Sequence, residues 1–169
     1  MSDHRVVIIA DHTHAGVTDQ EPRRAVPRHP TNGTVRVVPA GGDRFAITIR
    51  DHELVADQPI GDGGEDTGPS PTELFVAGLA ACVAHYARRY LARHGLAVDG
   101  LAVDTEFALG GRPARICDWT VRVTPPASLP ADRYDAFHAV ISHCTVHNTL
   151  HDPPQIAVEL APVPAGAGR

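Results

Sequence analysis

The segment from residue 70 to residue 94 constrains the fold more than any other part of the chain, because it predicts one long helix with well-defined ends. Ser70 can cap this helix, and Pro71 suits its first position. Glu73 falls three residues after Ser70, which completes the pattern of a capping box. Basic residues near the far end and Gly95 just beyond them predict where the helix stops. We therefore expect a helix that runs as far as that glycine.

The first half of this helix has almost no polar side. Residues 74–84 are apolar except for Gly78, and a helix that is apolar all round is expected to be buried on all sides. Glu73 and His85 limit the apolar run to well below the roughly 20 residues needed to cross a membrane, so we expect no membrane partner. Cys82 lies in the middle of this central helix, and its role is the main question that the sequence poses.

The composition is that of one globular domain. The chain has 169 residues, 43% of them hydrophobic and 21% charged, which is ordinary for a domain with a real core. A net charge of −5 argues against a nucleic-acid partner. Three cysteines are not the even set of a secreted disulfide framework, and residues 6–10 are too short an apolar run for a signal peptide. We therefore expect a cytoplasmic protein, in which cysteines are more often catalytic or metal-binding than cross-linking.

Three regions are expected along the chain. Residues 1–30 are interpreted as a flexible N-terminal extension, with a short strand at Arg5–Ala10 and a weak metal-binding pattern at His12-Thr13-His14. Residues 31–162 are expected to form the domain, and residues 163–169 a frayed tail.

Within the domain, the order of strands and helices is typical of an α+β fold rather than a βαβ series. A Gly-rich acidic loop at residues 59–68 is expected to be flexible. A second helix is predicted between residues 129 and 143, because its apolar residues recur at helical spacing. Alternating apolar residues predict strands at 34–38, 44–50, 52–56, 101–109 and 116–123, and a closing strand at 156–160.

The three cysteines stand in different contexts. Cys82 is in the central helix, and Cys117 falls in a strand pattern, where an ordinary sheet residue is the simplest interpretation. Cys144 opens a predicted short helix at residues 144–150. Since a helix N-terminus stabilises a thiolate, the pKa of Cys144 is expected to be depressed.

Two stretches of sequence carry a more specific pattern. The first is Gly68-Pro69-Ser70-Pro71-Thr72-Glu73-Leu74 followed by Ala80-Ala81-Cys82, and the second is Cys144-Thr145-Val146-His147-Asn148-Thr149-Leu150. Together they resemble the OsmC/Ohr family of osmotically induced and organic-hydroperoxide-resistance proteins, in particular an OsmC-like subgroup. The resemblance covers roughly residues 34–160. It implies an OsmC-like α+β fold, with antiparallel sheets around the two central helices of an intertwined homodimer.

The resemblance also implies an activity. In such proteins the cysteine that matches Cys82 attacks an organic hydroperoxide as a thiolate, and the cysteine that matches Cys144 captures the resulting sulfenic acid as a disulfide. A dithiol, either a small thiol or a lipoylated protein, then reduces the disulfide, and no cofactor is implied. Thiol chemistry agrees with this scheme, because the thiolate is the nucleophile and a nearby second cysteine prevents over-oxidation.

This sequence departs from the family at the residues that would activate the thiol. Family peroxidases carry a Glu ten residues before the reactive cysteine, where it orients an Arg, and Thr72 stands at that position here. Glu73 is its neighbour, but at about 100° per residue it falls on the face opposite Cys82, so its expected role is capping. The candidates for the Arg are Arg36, Arg44 and Arg50 on the predicted hairpin. Thr145 stands where the family commonly has Pro.

These departures keep two alternatives open. One is a redox or small-molecule-binding protein of the same fold that does not catalyse peroxide reduction. The other is a zinc-binding protein. Cys82 and His85 are three residues apart, as are Cys144 and His147, so each pair shares a helical face. Two sulfurs and two nitrogens would suit tetrahedral zinc.

Overall fold

Two antiparallel three-stranded sheets and three helices make up the fold. A computed structural model describes residues 6–9 and 33–162 of the chain. In chain order the elements are β1 (Val6–Ile9), β2 (Val35–Pro39), β3 (Phe45–Ile49), β4 (His52–Ala56), α1 (Pro71–Arg93), β5 (Ala102–Gly110), β6 (Arg115–Thr124), α2 (Tyr134–Ile141) and α3 (Thr145–His151). The predicted α+β class is confirmed.

The first sheet has the strand order β1-β6-β5 and is called the covered sheet below. Its β6 residues Val121 and Val123 are each 2% exposed, because α1 and α2 pack over them. The strand expected at Arg5–Ala10 is present as β1, paired with β6 in the register Val6 to Val123. The remainder of the expected N-terminal extension, including the His12-Thr13-His14 pattern, and the expected tail at residues 163–169 lie outside the described residues.

The second sheet has the order β2-β3-β4 and is called the open sheet. Its register places Val37 opposite Ile47 and Ile47 opposite Leu54, so these three side chains share one face. Val37 is 53% exposed and Leu54 is 44% exposed. The described part of the chain therefore leaves an apolar sheet face uncovered.

The two ends of α1 are as predicted. The Glu73 amide donates to Ser70 Oγ at 3.3 Å, and the Ser70 amide donates to Glu73 Oε2 at 2.7 Å, which is a complete capping box. Gly95 follows the helix with φ +66°, a left-handed conformation that glycine adopts without strain.

The expected burial of α1 on all sides is wrong for the single chain. Its buried residues lie along one stripe, namely Val76, Leu79, Val83, Ala87, Tyr90 and Leu91. On the other side Phe75 is 48% exposed and His85 is exposed. The reason is that the covered sheet, α2 and α3 all pack on the same side of α1.

The closing strand expected at residues 156–160 does not form in the described chain. Ile156, Val158 and Leu160 are 83–98% exposed, and the segment has no strand hydrogen bonding. An alternating apolar pattern becomes a strand only when a sheet edge is available to pair with it, and within residues 6–9 and 33–162 no strand pairs with this segment.

The loop expected to be flexible is instead held by one buried carboxylate. Asp57, which is 1% exposed, accepts hydrogen bonds from the amides of Gln58, Glu65 and Thr67 and from the Thr67 hydroxyl. These bonds, led by the Thr67 amide, lower the pKa of Asp57 although its burial opposes the shift. At Gly68 a β-carbon would lie 2.4 Å from the Val55 carbonyl oxygen, so this approach requires glycine. The chain therefore enters α1 along a fixed path.

Within the described ranges, no helix is both long and apolar enough to cross a membrane.

Candidate functional site

The structure brings two of the cysteines together. Cys82 is on α1 and half-buried, whereas Cys144 is the N-cap of α3 and is 0% exposed. Cys82 packs against the core cluster that contains Cys144, and its sulfur is near enough to contribute to the raised pKa of Cys144. Both are free thiols. The pair that the sequence singled out is therefore assembled within one chain.

The third cysteine lies elsewhere in the fold. Cys117 is exposed at the hairpin end of β6, and its thiol donates a long, weak hydrogen bond to the Arg115 carbonyl oxygen at 3.8 Å. This agrees with its interpretation as an ordinary sheet residue.

The expected depression of the Cys144 pKa is wrong. The His147 amide does donate to Cys144 Sγ at 3.5 Å, as the helix N-terminus predicts, and this contact lowers the pKa. Burial has the larger effect, and together with the Cys82 sulfur it raises the pKa of Cys144 to about 11. Cys144 is therefore a neutral thiol near pH 7, and of the two sulfurs the half-buried one is better suited to attack a substrate.

A contact beside the thiols was missed by the sequence analysis. The Tyr86 hydroxyl lies 3.0 Å from Thr145 Oγ1 and joins α1 to α3. Tyr86 is four residues after Cys82, and this spacing places both on one helical face. The spacing could have indicated that Tyr86 lies beside the thiol of Cys82. Nothing in the sequence identified its partner, which is 59 positions away.

The residues expected to support the site have other contacts in the structure. Glu73 is occupied by the capping box, and the Ser70 amide lowers its pKa. Thr72 is half-buried in the first turn of α1. Arg44 Nη1 lies 2.9 Å from Glu65 Oε2 in the loop that Asp57 organises. The acid that pairs with Arg44 is thus Glu65 rather than Glu73.

The alternative zinc set is not brought together. His85 is exposed, with its ring edge-on to that of Tyr86. His147 Nδ1 is hydrogen-bonded to the Ser142 carbonyl oxygen, and burial lowers the pKa of His147. Residues 6–9 and 33–162 contain no group of three or more His, Cys, Asp or Glu side chains arranged to hold a metal ion.

Comparison with solved structures agrees with this fold. A protein of Psychrobacter arcticus 273-4, described in terms of osmotic stress induction and detoxification response, superposes with a TM-score of 0.64 at 19% identity, over 69% of this chain and 86% of its own. An organic hydroperoxide resistance protein OsmC from Legionella pneumophila gives 0.55 at 18% identity, over 73% and 91%. The organic hydroperoxide resistance protein OhrB of Bacillus subtilis gives 0.50 at 20% identity, over 71% and 92%. At such identities the likeness establishes the fold alone.

Comparison with curated proteins finds no significant match. The family comparison is more informative, because the model of the OsmC-like proteins matches residues 63–159. This range contains α1, the covered sheet's β5 and β6, and both cysteines of the pair. It spans more than half of the 169 residues, and the chain therefore belongs to the OsmC-like family.

Proposed function

We propose that this protein is a thiol-dependent peroxidase that reduces organic hydroperoxides, with Cys82 as the attacking thiol and Cys144 as the resolving thiol. The observation that carries the proposal is the contact between a half-buried Cys82 and a fully buried Cys144 in one apolar cluster. Such a pair suits an attack by the accessible sulfur followed by capture by the enclosed one.

The proposed reaction has two steps in the protein. The Cys82 thiolate attacks the terminal oxygen of the hydroperoxide, the O–O bond breaks, and the alkoxide takes up a proton to leave as an alcohol. Cys82 is thereby oxidised to a sulfenic acid. The Cys144 thiol then attacks the Cys82 sulfur, forming a disulfide and releasing water. An external dithiol, either a small thiol or a lipoylated protein, reduces the disulfide and becomes a disulfide itself.

Named relatives support the chemical class of the substrate. The Legionella pneumophila and Bacillus subtilis proteins are both described as organic hydroperoxide resistance proteins. The apolar surroundings of Cys82 suit the alkyl part of such a molecule better than they suit hydrogen peroxide. In the proposal Arg44, held by Glu65, is the cation offered to the peroxide oxygen, and Thr72 and Glu73 shape the start of α1.

The proposed assembly is a homodimer. The apolar face of the open sheet, the exposed side of α1 around Phe75, and the alternating segment Ile156–Leu160 are all uncovered in the described chain. Covering all three with a second copy of the same chain would bury the apolar residues that remain exposed, which is the main source of association free energy.

A second candidate is a redox protein of the same fold that forms the disulfide but does not turn over hydroperoxides. It is favoured by two contacts: Glu73 is used as a cap, and Arg44 is paired with Glu65. Neither residue is shown beside Cys82, so the activation of its thiol is the point on which the two functions differ.

Replacement of single cysteines tests the proposal. With cumene hydroperoxide and a dithiol, Cys82→Ser is expected to lower turnover at least about a hundredfold, because it removes the nucleophile. Intact mass after one equivalent of hydroperoxide should show loss of two hydrogens in the wild type and gain of one oxygen in Cys144→Ser.

Cys117→Ser is the matched control, since it removes a thiol that lies outside the pair, and it should behave as the wild type. Full turnover by Cys82→Ser would overturn the proposal. Disulfide formation by exchange with an oxidised dithiol, in a wild type that does not turn over hydroperoxide, would favour the second candidate.

A further inference from the structure

The thiol pair has a neighbour that joins the same two helices. Tyr86 lies one turn after Cys82 on α1, and Thr145 directly follows Cys144 at the start of α3. The contact between the Tyr86 hydroxyl and Thr145 Oγ1, at 3.0 Å, therefore lies next to the Cys82–Cys144 pair. Two consecutive residues of one segment meet two residues on one face of α1.

The position of Cys144 depends on a short element. α3 has 7 residues and follows a break after α2. Cys144 itself has extended backbone, with φ −68° and ψ 157°, and its sulfur accepts the His147 amide. These local contacts orient the sulfur within α3, but they do not fix α3 against α1. The Tyr86–Thr145 contact is a directional bond between those two helices.

We propose that Tyr86 and Thr145 form a positioning pair that holds the Cys144 sulfur against Cys82 and thereby sets the rate at which oxidised Cys82 is resolved. The proposal rests on the proposed function for its kinetic consequence, although the positioning itself concerns the two thiols alone.

Resolution competes with a second oxidation. The sulfenic acid on Cys82 is converted to a disulfide when Cys144 attacks it and water leaves, or to a sulfinic acid when another hydroperoxide molecule transfers an oxygen to it and leaves as an alcohol. Positioning affects only the first of these two routes. Loss of the hydroxyl contact should thus leave the initial oxidation of Cys82 unchanged and raise the share of sulfinic acid, whereas a general loss of structure would alter both.

The test uses four variants of the full chain. Tyr86→Phe and Thr145→Val each remove one hydroxyl and keep the shape of the side chain, while Thr145→Ser keeps the hydroxyl. Tyr90→Phe is the matched control, because Tyr90 lies one turn further along α1 and its ring packs against Phe137 of α2 rather than against α3. Intact mass after excess cumene hydroperoxide gives the ratio of sulfinic acid to disulfide.

We expect this ratio to rise about three- to tenfold in Tyr86→Phe and in Thr145→Val, the factor that corresponds to one hydrogen bond of ordinary net strength. Thr145→Ser and Tyr90→Phe should keep the wild-type ratio. An unchanged ratio in both hydroxyl-deleting variants, or an equal rise in Tyr90→Phe, would overturn the proposal.

A second measurement separates this proposal from the proposed function. Each variant is equilibrated without peroxide in mixtures of reduced and oxidised dithiothreitol, and the fraction of Cys82–Cys144 disulfide is read by mass. Positioning predicts that the disulfide is about three- to tenfold easier to reduce in Tyr86→Phe and Thr145→Val. This shift would support the positioning pair even if no variant consumed hydroperoxide, and wild-type behaviour of both variants here would count against it whatever the peroxidase activity.

Discussion

The two sheets have similar size and topology but opposite surroundings. Each has three antiparallel strands and an apolar face. In the covered sheet Val121 and Val123 are 2% exposed, whereas in the open sheet Val37 is 53% exposed and Leu54 is 44% exposed. The two sheets differ in exposure because α1 and α2 of the same chain both pack on the covered sheet.

This difference falls between the two groups of residues that the proposed function uses. Cys144 belongs to the cluster that includes Val121 and Val123, and Cys82 packs against that cluster, so residues of one chain bring the two thiols together. Arg44 lies on the hairpin of the open sheet. The cation that the proposed function assigns to Arg44 therefore lies on the sheet whose apolar face is uncovered.

The largest effect on stability is expected from a substitution in the core that encloses the covered sheet. Phe137 on α2 is 1% exposed and packs edge-on against Tyr90, with ring centroids 5.4 Å apart. Phe137→Ala should lower the free energy of unfolding by about 3–5 kcal/mol, through lost burial and the cavity left behind. Urea unfolding measures it.

Val140→Ala, on the same helix but at a residue that is 37% exposed, is the control and should cost less than about 1 kcal/mol. Equal losses in the two variants would mean that the covered sheet is not enclosed as described.

A smaller effect is expected from the thiol inside this cluster. Unfolded chains lose the Cys144 proton near the ordinary value of 9.0, whereas burial holds the folded pKa at about 11. Between these values the folded state binds more protons, so stability is fully present below about pH 9 and declines as pH rises towards 11. At 1.36 kcal/mol per pKa unit, the decline is at most about 3 kcal/mol.

Urea unfolding under reducing conditions, at several pH values across that window, measures the decline. Cys144→Ala should remove this component, while Cys117→Ser should retain it. A slope that is the same in the wild type and in Cys144→Ala would show that the Cys144 thiol is not enclosed in a dry cluster.

Features that depend on neighbouring residues could be predicted from the sequence. The predictions of both ends of α1 were correct, because Ser70, Glu73 and Gly95 act on the backbone within one helical turn of their own positions. The strand predicted at residues 52–56 is β4, as its alternation and flanking turns indicated. The two cysteines that the resemblance to the family singled out lie at one core cluster, and their roles as attacking and resolving thiols stay a prediction.

Features that depend on packing could not be predicted. The predicted direction of the Cys144 pKa shift was wrong, because the effect of burial outweighs that of the helix N-terminus. Burial is set by residues that are distant in sequence. The loop that was expected to be flexible is held by hydrogen bonds to Asp57. The sequence did not indicate these bonds, since the partners of Asp57 lie up to 10 residues away. The segment at 156–160 has the pattern of a strand, but the edge that it requires is not supplied by the described chain.

The smallest of the three effects is expected for a charge placed on the open sheet. Val37 and Val38 are neighbours on β2, and both are exposed in the single chain, by 53% and 37%. Only Val37 lies on the apolar face, opposite Ile47.

If a second copy covers that face, Val37→Asp buries an unpaired carboxylate and should weaken dimerisation roughly tenfold or more, about 1.4 kcal/mol per factor of ten. Val38→Asp should leave assembly unchanged. Sedimentation equilibrium across a range of protein concentrations measures both constants. A wild type that is monomeric throughout, or two variants that assemble equally well, would show that the open sheet stays open in solution and that the second copy does not cover it.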